Sequence, residues 1–401
     1  MMKIAVLGFG TVGSGVYEVI ERNRDNIAKR AGEEIEIKYV LDLRDFPGHP
    51  VQDILVHSYD EIVNDPEVQI IVEVMGGIEP AYTFVKEALL KGKSVCTSNK
   101  ELVARHGAEL LEIAKQKKIN FLFEASVGGG IPIIRPLNQS LTVDEIEEIT
   151  GILNGTTNYI LSQMRDEGID FATALKDAQE KGYAERNPEA DVEGYDACRK
   201  IAILTSLAYG MQVNFEDIYT EGITKITDTD LKYATAYDAT IKLLGSSKKI
   251  DDKVYAMVTP KMIKSHHPLY SVNNVFNGIL VKGNLLGDVM FYGSGAGKLP
   301  TASAVVSDVV DATKHKGTNI MTIWSSKRLE PAEIKTLKGK FFVRVSARDE
   351  AKARELFSID EVITVEDIKD EFAFVTDEMT EEEFANKEKE INILNRIRVD
   401  A

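Results

Sequence analysis

Two lysines carry the chemistry that this sequence most readily supports. Lys200 follows Asp196 by four residues on a stretch that reads as a helix, so the two share one helix face. That spacing also fits an ordinary surface ion pair. The surroundings argue for a protected site: Ile201-Ala202-Ile203-Leu204 follows, and Glu185, Glu189, Asp191 and Glu193 precede. Acids around a lysine in a cleft can bind an ammonium group and tune proton transfer. Lys100 closes the run Cys96-Thr97-Ser98-Asn99-Lys100, at the end of a strand-like segment, where open α/β sheets bind ligands. A lysine ammonium suits protonation of an oxygen that gains negative charge as hydride reaches a carbonyl carbon, and the amine suits the reverse step. No Ser-His-Asp pattern competes, and neither cysteine has a histidine partner in view.

A hydride donor must then be held nearby. Gly8-Phe9-Gly10-Thr11-Val12-Gly13 directly follows an apolar strand and opens a helix, the context that a dinucleotide fingerprint requires. Gly8 allows the tight turn, Gly10 lets the pyrophosphate approach the backbone, and Gly13 lets the helix pack closely on the strand. The helix N-terminus offers N–H groups and partial positive charge to the phosphates. At the end of the second strand an acid binds the ribose 2′-hydroxyl of NAD, whereas an arginine accommodates the 2′-phosphate of NADP. Asp42-Leu43-Arg44-Asp45 supplies both, so these residues leave NAD and NADP open.

The elements that must position these residues alternate in the first third of the chain. Lys3–Leu7, Ile35–Leu41, Ile70–Val74, Ser94–Thr97 and Asn120–Glu124 read as strands. Gly13–Arg24, Pro80–Lys91 and Glu101–Gln116 read as helices. Such alternation predicts a parallel sheet with helices on both faces. After Gly128-Gly129-Gly130 the character changes. Pro132 and Pro136 lie in a stretch that suits a helix start. A strand over Glu145–Leu153 and helices over Thr156–Arg165, Phe171–Lys181 and Asp191–Tyr209 follow. Lys253–Pro260, Asn277–Lys282 and Gly287–Tyr292 then read as antiparallel strands. Gly293–Gly297 is a glycine turn, and the Ala/Val-rich helix over Thr301–Lys314 is expected to return to the first domain. From Phe341 the order is β-α-β-β-α-β, with a helix over Glu350–Phe357, strands near Ile363–Ile368 and Glu371–Thr376, and an acidic helix over Thr380–Glu390. That order fits a small ferredoxin-like module.

Composition narrows the function classes. Hydrophobic residues make up 44% of 401 residues and charged residues 28%, enough for two or three globular domains with sizeable cores. The longest apolar runs are far too short to span a bilayer, and the first residues do not look like a signal peptide, so no membrane association and a cytoplasmic location are expected. A formal net charge of −16 argues against nucleic acid. The six histidines show no zinc-type spacing, and Cys96 and Cys198 are too few for a disulfide scaffold. They read as two small buried or half-buried thiols.

Several segments together resemble homoserine dehydrogenase: Gly8–Gly13, Thr97-Ser98-Asn99-Lys100-Glu101, Glu124 through Ile133, Gly151-Ile152-Leu153-Asn154-Gly155-Thr156-Thr157-Asn158-Tyr159-Ile160, Asp191 through Lys200, and Tyr292 through Gly297. The match runs in order over roughly residues 1–320. The Asn-Gly-Thr-Thr-Asn and Gly-x-Asp-x-x-x-Lys elements are far more specific than a glycine loop. The resemblance implies reversible NAD(P)-dependent hydride transfer between L-homoserine and L-aspartate 4-semialdehyde, in threonine, methionine and isoleucine biosynthesis. It implies Lys200 as proton donor and acceptor, Lys100 near the reacting centre, and Asp196 orienting Lys200. Glu185 would bind the substrate ammonium, with Gly182 and Asp191 in the same pocket. Arg44, Ser98 and Gly297 would join the Gly8–Gly13 loop around the cofactor, for which the family favours NADP while Asp42 suits NAD. A monovalent cation, sodium, is implied on backbone oxygens of Glu124, Val127, Gly129 and Ile131, where a purely structural glycine turn is the alternative. A homodimer or homotetramer is expected by the same analogy.

The resulting architecture is α/β: a Rossmann dinucleotide-binding domain over 1–133 with a returning helix near 300–318, an α+β substrate and dimerisation domain over 134–299, and a ferredoxin-like, ACT-like domain over 339–401. The Pro-Gly-Val-Leu-Ala turn of effector-binding ACT domains is missing, and Arg348-Asp349-Glu350-Ala351-Lys352-Ala353 stands in its place. The module therefore reads as ACT-like without a threonine turn, either regulatory or an oligomerisation element. Two other readings fit the sequence less well. An aspartate-semialdehyde dehydrogenase needs a nucleophilic cysteine with a histidine base, a setting that Cys96 and Cys198 lack. A dinucleotide-sensing regulator needs a DNA-binding element or basic patch, and the chain shows neither.

Overall fold

The computed structural model describes residues 1–400. The described chain forms two compact units, one of residues 1–144, 202–214 and 293–329, the other of residues 145–201, 215–292 and 330–400. In the first, β1 (Met2–Leu7), β2 (Ile35–Leu41), β3 (Leu55–Val56), β4 (Val68–Glu73), β5 (Ser94–Thr97) and β6 (Phe121–Leu122) form a sheet in the order 3-2-1-4-5-6. Every neighbouring pair is parallel. This is the doubly wound order of dinucleotide-binding sheets. Ile4, Ala5, Val6 and Leu7 are fully buried, because helices cover both faces of a central parallel strand. Burying each of the Ile4, Val6 and Leu7 side chains stabilises the unit by about 1.5–3 kcal/mol.

The helix Lys298–Lys314 does return to this unit, as its Ala/Val-rich face predicts. Ala302, Val305 and Val309 share one core with Val16 and Ile20 of the helix Thr11–Arg22. The two helices approach so closely at Gly15 that a Cβ there would lie 2.9 Å from the Ala302 methyl.

The second unit is built on an eleven-stranded sheet. Its main strands are β7 (Ile146–Ile152), β8 (Ala239–Ile250), β9 (Lys253–Lys264), β10 (Phe276–Gly283), β11 (Gly287–Ser294), β12 (Lys338–Ser346), β13 (Ile359–Ile363), β14 (Glu371–Thr376) and β15 (Ile393–Asp400). Their order is 11-10-7-8-9-15-12-14-13. Helices Gly155–Glu167 and Phe171–Glu180 follow β7.

Three sequence expectations need correction here. The stretch Asp191–Tyr209 is not one helix. A short turn of helix at Glu189–Val192 stops at Gly194, which adopts φ +84°, and the long helix starts afresh at Tyr195. The strand β8 was not expected; its residues pair antiparallel with β9 from Ala239↔Lys264 to Ile250↔Lys253, and both faces are buried, so it lacks the alternation that marks a half-exposed strand. The strand placed near Ile363–Ile368 lies at Ile359–Ile363.

The C-terminal segment keeps its β-α-β-β-α-β order, with helices Glu350–Leu356 and Glu381–Glu388 over a core of Phe341, Phe357, Phe374 and Phe384. It is not a separate body. Strand β15 pairs in parallel with β9, Lys261 opposite Arg398 and Ile263 opposite Asp400. Buried charges reinforce the join: Arg344 reaches the fully buried Asp230 at 2.5 Å and Glu371 at 2.8 Å, and Arg398 reaches Glu221 at 2.8 Å. Removing Arg344 would strand the buried Asp230 carboxylate, so this pair opposes detachment.

Candidate active site

The glycine loop of the first unit has the geometry that its residue types require. Gly8 adopts φ +96°, and a Cβ at Gly13 would sit 2.0 Å from the Gly8 oxygen. A Cβ at Gly10 would meet nothing within 4 Å, so the missing side chain opens the loop to a ligand instead of relieving a clash within the protein. No side chain caps the helix Thr11–Arg22 at Gly10. Its first-turn N–H groups, from Thr11, Val12 and Gly13, suit a pyrophosphate. Phe9 is buried, its ring against Tyr17, Phe46 and His49.

At the end of β2, Asp42 accepts the Phe9 N–H at 2.8 Å. Arg44 lies on the same carboxylate, its Nε 2.9 Å from one oxygen and a terminal nitrogen 3.0 Å from the other. The Arg44 guanidinium holds the Asp42 carboxyl well below the usual carboxylate range. The acid and the arginine that a cofactor ribose could meet are therefore one ion pair.

Lys100 is set by its neighbour. The Asn99 side chain accepts the Leu102 N–H at 3.1 Å and caps the helix Lys100–Lys117, so Lys100 is its first residue, half-buried, just after β5 and Ser98. Beside it is a residue that sequence reasoning missed. Glu73 ends β4 fully buried, accepts the Thr97 hydroxyl at 2.6 Å and the Met75 N–H at 2.8 Å, and burial pushes its carboxyl up. Its signal was there to read: an acid closing the apolar run Ile70-Ile71-Val72 at the ligand end of a parallel sheet.

The segment Glu124–Ile131 is buried apart from half-buried Gly130. The Glu124 carboxylate caps the next helix by accepting the N–H groups of Ile133, Ile134 and Arg135 at 2.7–2.8 Å. Gly129 adopts φ +58° and passes so close to Gly295 that a Cβ would lie 2.3 Å from its oxygen. Gly297, at φ +119°, is the N-cap of the helix Lys298–Lys314. Among the described residues no group of three or more His, Cys, Asp or Glu side chains forms a metal site, and Cys96 and Cys198 are buried and unbridged.

The second unit holds the acid–lysine cluster. Lys200 Nζ donates to Asp196 Oδ2 at 2.7 Å and to the Leu153 oxygen at 2.8 Å. The relative exposures of the two side chains are 11% and 5%, so this i,i+4 pair is no surface salt bridge. Leu153 is placed by packing: Cβ atoms at Gly151 and Gly245 would each come within 2.9 Å of its side chain. Asn154, whose type and spacing point to no catalytic role, joins the cluster. Its Nδ2 donates to Asp191 at 2.7 Å and to Asp196 at 2.9 Å, while its Oδ1 caps the helix Gly155–Glu167 through the Thr157 N–H.

Of the other acids, Glu185 and Glu189 are exposed and Glu193 is half-buried. The segment carrying Gly182, at φ +75°, and Glu185 is tied to the same helix start, because Thr156 donates its hydroxyl to the Tyr183 oxygen at 2.7 Å.

Known proteins resemble this chain over most of its length. Residues 8–124 match the family model "Homoserine dehydrogenase, NAD binding domain", and residues 132–310 match "Homoserine dehydrogenase". A Synechocystis homoserine dehydrogenase is 46% identical over 82% of this chain and 76% of its own length. A Helicobacter pylori homoserine dehydrogenase is 41% identical over 87% of this chain and 82% of its own. The solved homoserine dehydrogenase of Thiobacillus denitrificans superposes with a TM-score of 0.90 at 35% identity, covering 100% of this chain and 98% of that one. A hyperthermophilic archaeal homoserine dehydrogenase mutant, solved in complex with NADPH, covers 78% of this chain and 97% of its own at a TM-score of 0.66 and 30% identity. The chain belongs to the homoserine dehydrogenase family.

Proposed function

We propose that Lys200 is the proton donor and acceptor in the NAD(P)-dependent interconversion of L-homoserine and L-aspartate 4-semialdehyde that this chain catalyses in the synthesis of threonine, methionine and isoleucine. The observation that carries the reading is the buried Lys200–Asp196 pair with the Leu153 oxygen as second acceptor. A carboxylate at 2.7 Å favours the ammonium form, and the two acceptors set its direction. An ammonium so held can protonate the oxygen formed when the aldehyde is reduced, and the resulting amine can take the hydroxyl proton when homoserine is oxidised. When bound, the nicotinamide supplies or accepts the hydride.

Around this step, Asp196 orients Lys200, and Lys100 contacts cofactor and substrate near the reacting carbon. Glu185 binds the substrate ammonium, with Gly182 and Asp191 lining the same pocket. The tie from Thr156 to Tyr183 supports this assignment, because it draws the Gly182–Glu185 segment to the helix start that bears Asn154. Gly8, Phe9, Gly10, Thr11, Val12 and Gly13 hold the pyrophosphate, Arg44 a 2′-phosphate, and Ser98 and Gly297 the nicotinamide side. NADP is the favoured cofactor, in keeping with Arg44 and with the NADPH complex of the archaeal relative. NAD is tolerated through Asp42.

The buried carbonyls of Glu124, Val127, Gly129 and Ile131 form a loop chemically suited to a hard cation such as sodium, which would stiffen it. The functional divisions run over 1–133 with 300–318, 134–299 and 339–401, the last an ACT-like element joined to the sheet of the second unit. The protein acts in the cytoplasm as a homodimer or homotetramer; among the described residues no helix is long and apolar enough to cross a membrane.

Lys200→Ala tests the central assignment. Turnover with homoserine should fall by about 10²–10⁴ while NADPH binding, read by fluorescence titration, stays within about twofold. Turnover near the wild-type rate would refute it.

A further inference from the structure

We infer that Asn154 is a positioning residue for this reaction: its amide bridges the carboxylates of Asp191 and Asp196 and so sets the group on which Lys200 is aimed. The inference rests on Lys200 being the proton carrier. Asp191 and Asp196 lie on two different helices, separated by the break at Gly194. No helical spacing brings them together, yet both reach one nitrogen. Each hydrogen of Nδ2 serves one carboxylate, at 2.7 and 2.9 Å.

The other end of the amide is equally committed. Oδ1 accepts the Thr157 N–H at 2.9 Å and the Thr157 hydroxyl at 3.1 Å, so the amide has one orientation consistent with its partners. Asn154 is 6% exposed, and its backbone is extended, as an N-cap requires. The residue before it supplies the second acceptor for Lys200. One dipeptide, Leu153-Asn154, therefore fixes the lysine directly through a carbonyl and indirectly through Asp196.

A neutral donor between two carboxylates does what neither a carboxylate nor an apolar side chain can do. It offsets their mutual repulsion without adding charge. Asn154 thus touches two carboxylates, and one of them, Asp196, also holds Lys200.

Asn154→Asp separates this role from helix capping. Aspartate caps a helix about as well as asparagine, so the Thr157 bond survives. The donor is lost, and a third anion faces the other two. More negative charge favours the ammonium, so the acid limb of the kcat–pH profile for homoserine oxidation should move upward by about one unit, and kcat at pH 8 should fall about tenfold or more. The melting midpoint should fall, because a buried third carboxylate has no compensating partner. Asn154→Ser keeps a cap without the bridging reach and without new charge. It should lower kcat with little movement of the limb, and it serves should the Asp variant fail to fold. Wild-type kcat and an unmoved acid limb in either soluble variant would overturn the inference. Lys200→Met, measured alongside, must be inactive; if it turns over, the Lys200 assignment has failed instead.

Discussion

Lys200 and Asp196 form an ion pair one helical turn apart, at 2.7 Å and nearly out of water. On an exposed helix this spacing contributes a few tenths of a kcal/mol. Here the carboxylate faces an ammonium that water screens little, so its charge state sets that of the lysine. Asp196→Asn keeps the shape and removes the charge. The ammonium is then favoured less, and the acid limb of homoserine oxidation should move to lower pH by about one unit, opposite to Asn154→Asp. Losing the buried charge should also cost about 1–3 kcal/mol of stability. Profiles of kcat against pH and a urea titration read both effects, and an unmoved limb would separate Asp196 from the chemistry.

Cofactor preference should divide between Asp42 and Arg44. The pair leaves Asp42 charged across the working pH range, so it repels a 2′-phosphate unless Arg44 offsets it. Arg44→Ala is expected to raise KM for NADP about tenfold or more and to leave KM for NAD within about threefold, a tenfold change being about 1.4 kcal/mol. Asp42→Ala should weaken NAD instead. Steady-state assays with both cofactors decide it, and equal losses in both would show that the pair only shapes the loop.

Lys242 gives a pH dependence of stability. It lies on β8, 1% exposed, and donates to the Val272 oxygen at 2.6 Å, Asn273 Oδ1 at 2.9 Å and Asn158 Oδ1 at 3.0 Å, none of them charged. Burial, with the Arg165 guanidinium nearby, brings it down to about 7 from the ordinary 10.5. Between those values the unfolded chain holds a proton that the fold does not, so stability from this group rises with pH across that window, by at most about 1.4 kcal/mol per unit. Lys242→Met should flatten the rise. Melting midpoints of both proteins at pH 7 and pH 9 check this; parallel slopes would show that Lys242 keeps its charge.

Much of this molecule was legible before any fold was known, wherever the physics is local. The glycines of 8–13 declare a strand–turn–helix because φ, steric clearance and helix dipole all act within six residues. Lys200 and Asp196 declare a shared face because a helix repeats every 3.6 residues. The alternating strands and helices of the first third predicted a parallel sheet for the same reason. Tertiary structure alone decided the rest. Asn154 meets Asp191 and Asp196 across 37 and 42 residues, which no periodicity encodes. Strand β8 hides in a run buried on both faces, where the alternation that betrays a strand is absent. Whether the i,i+4 pair was surface or buried depended on what packs over Leu153 and Ile201, and the C-terminal module became part of a larger sheet through pairing between residues 261 and 398. Local backbone preference is written along the chain; burial, charge partnership and strand order are set by residues far apart in it, and only folding brings those together.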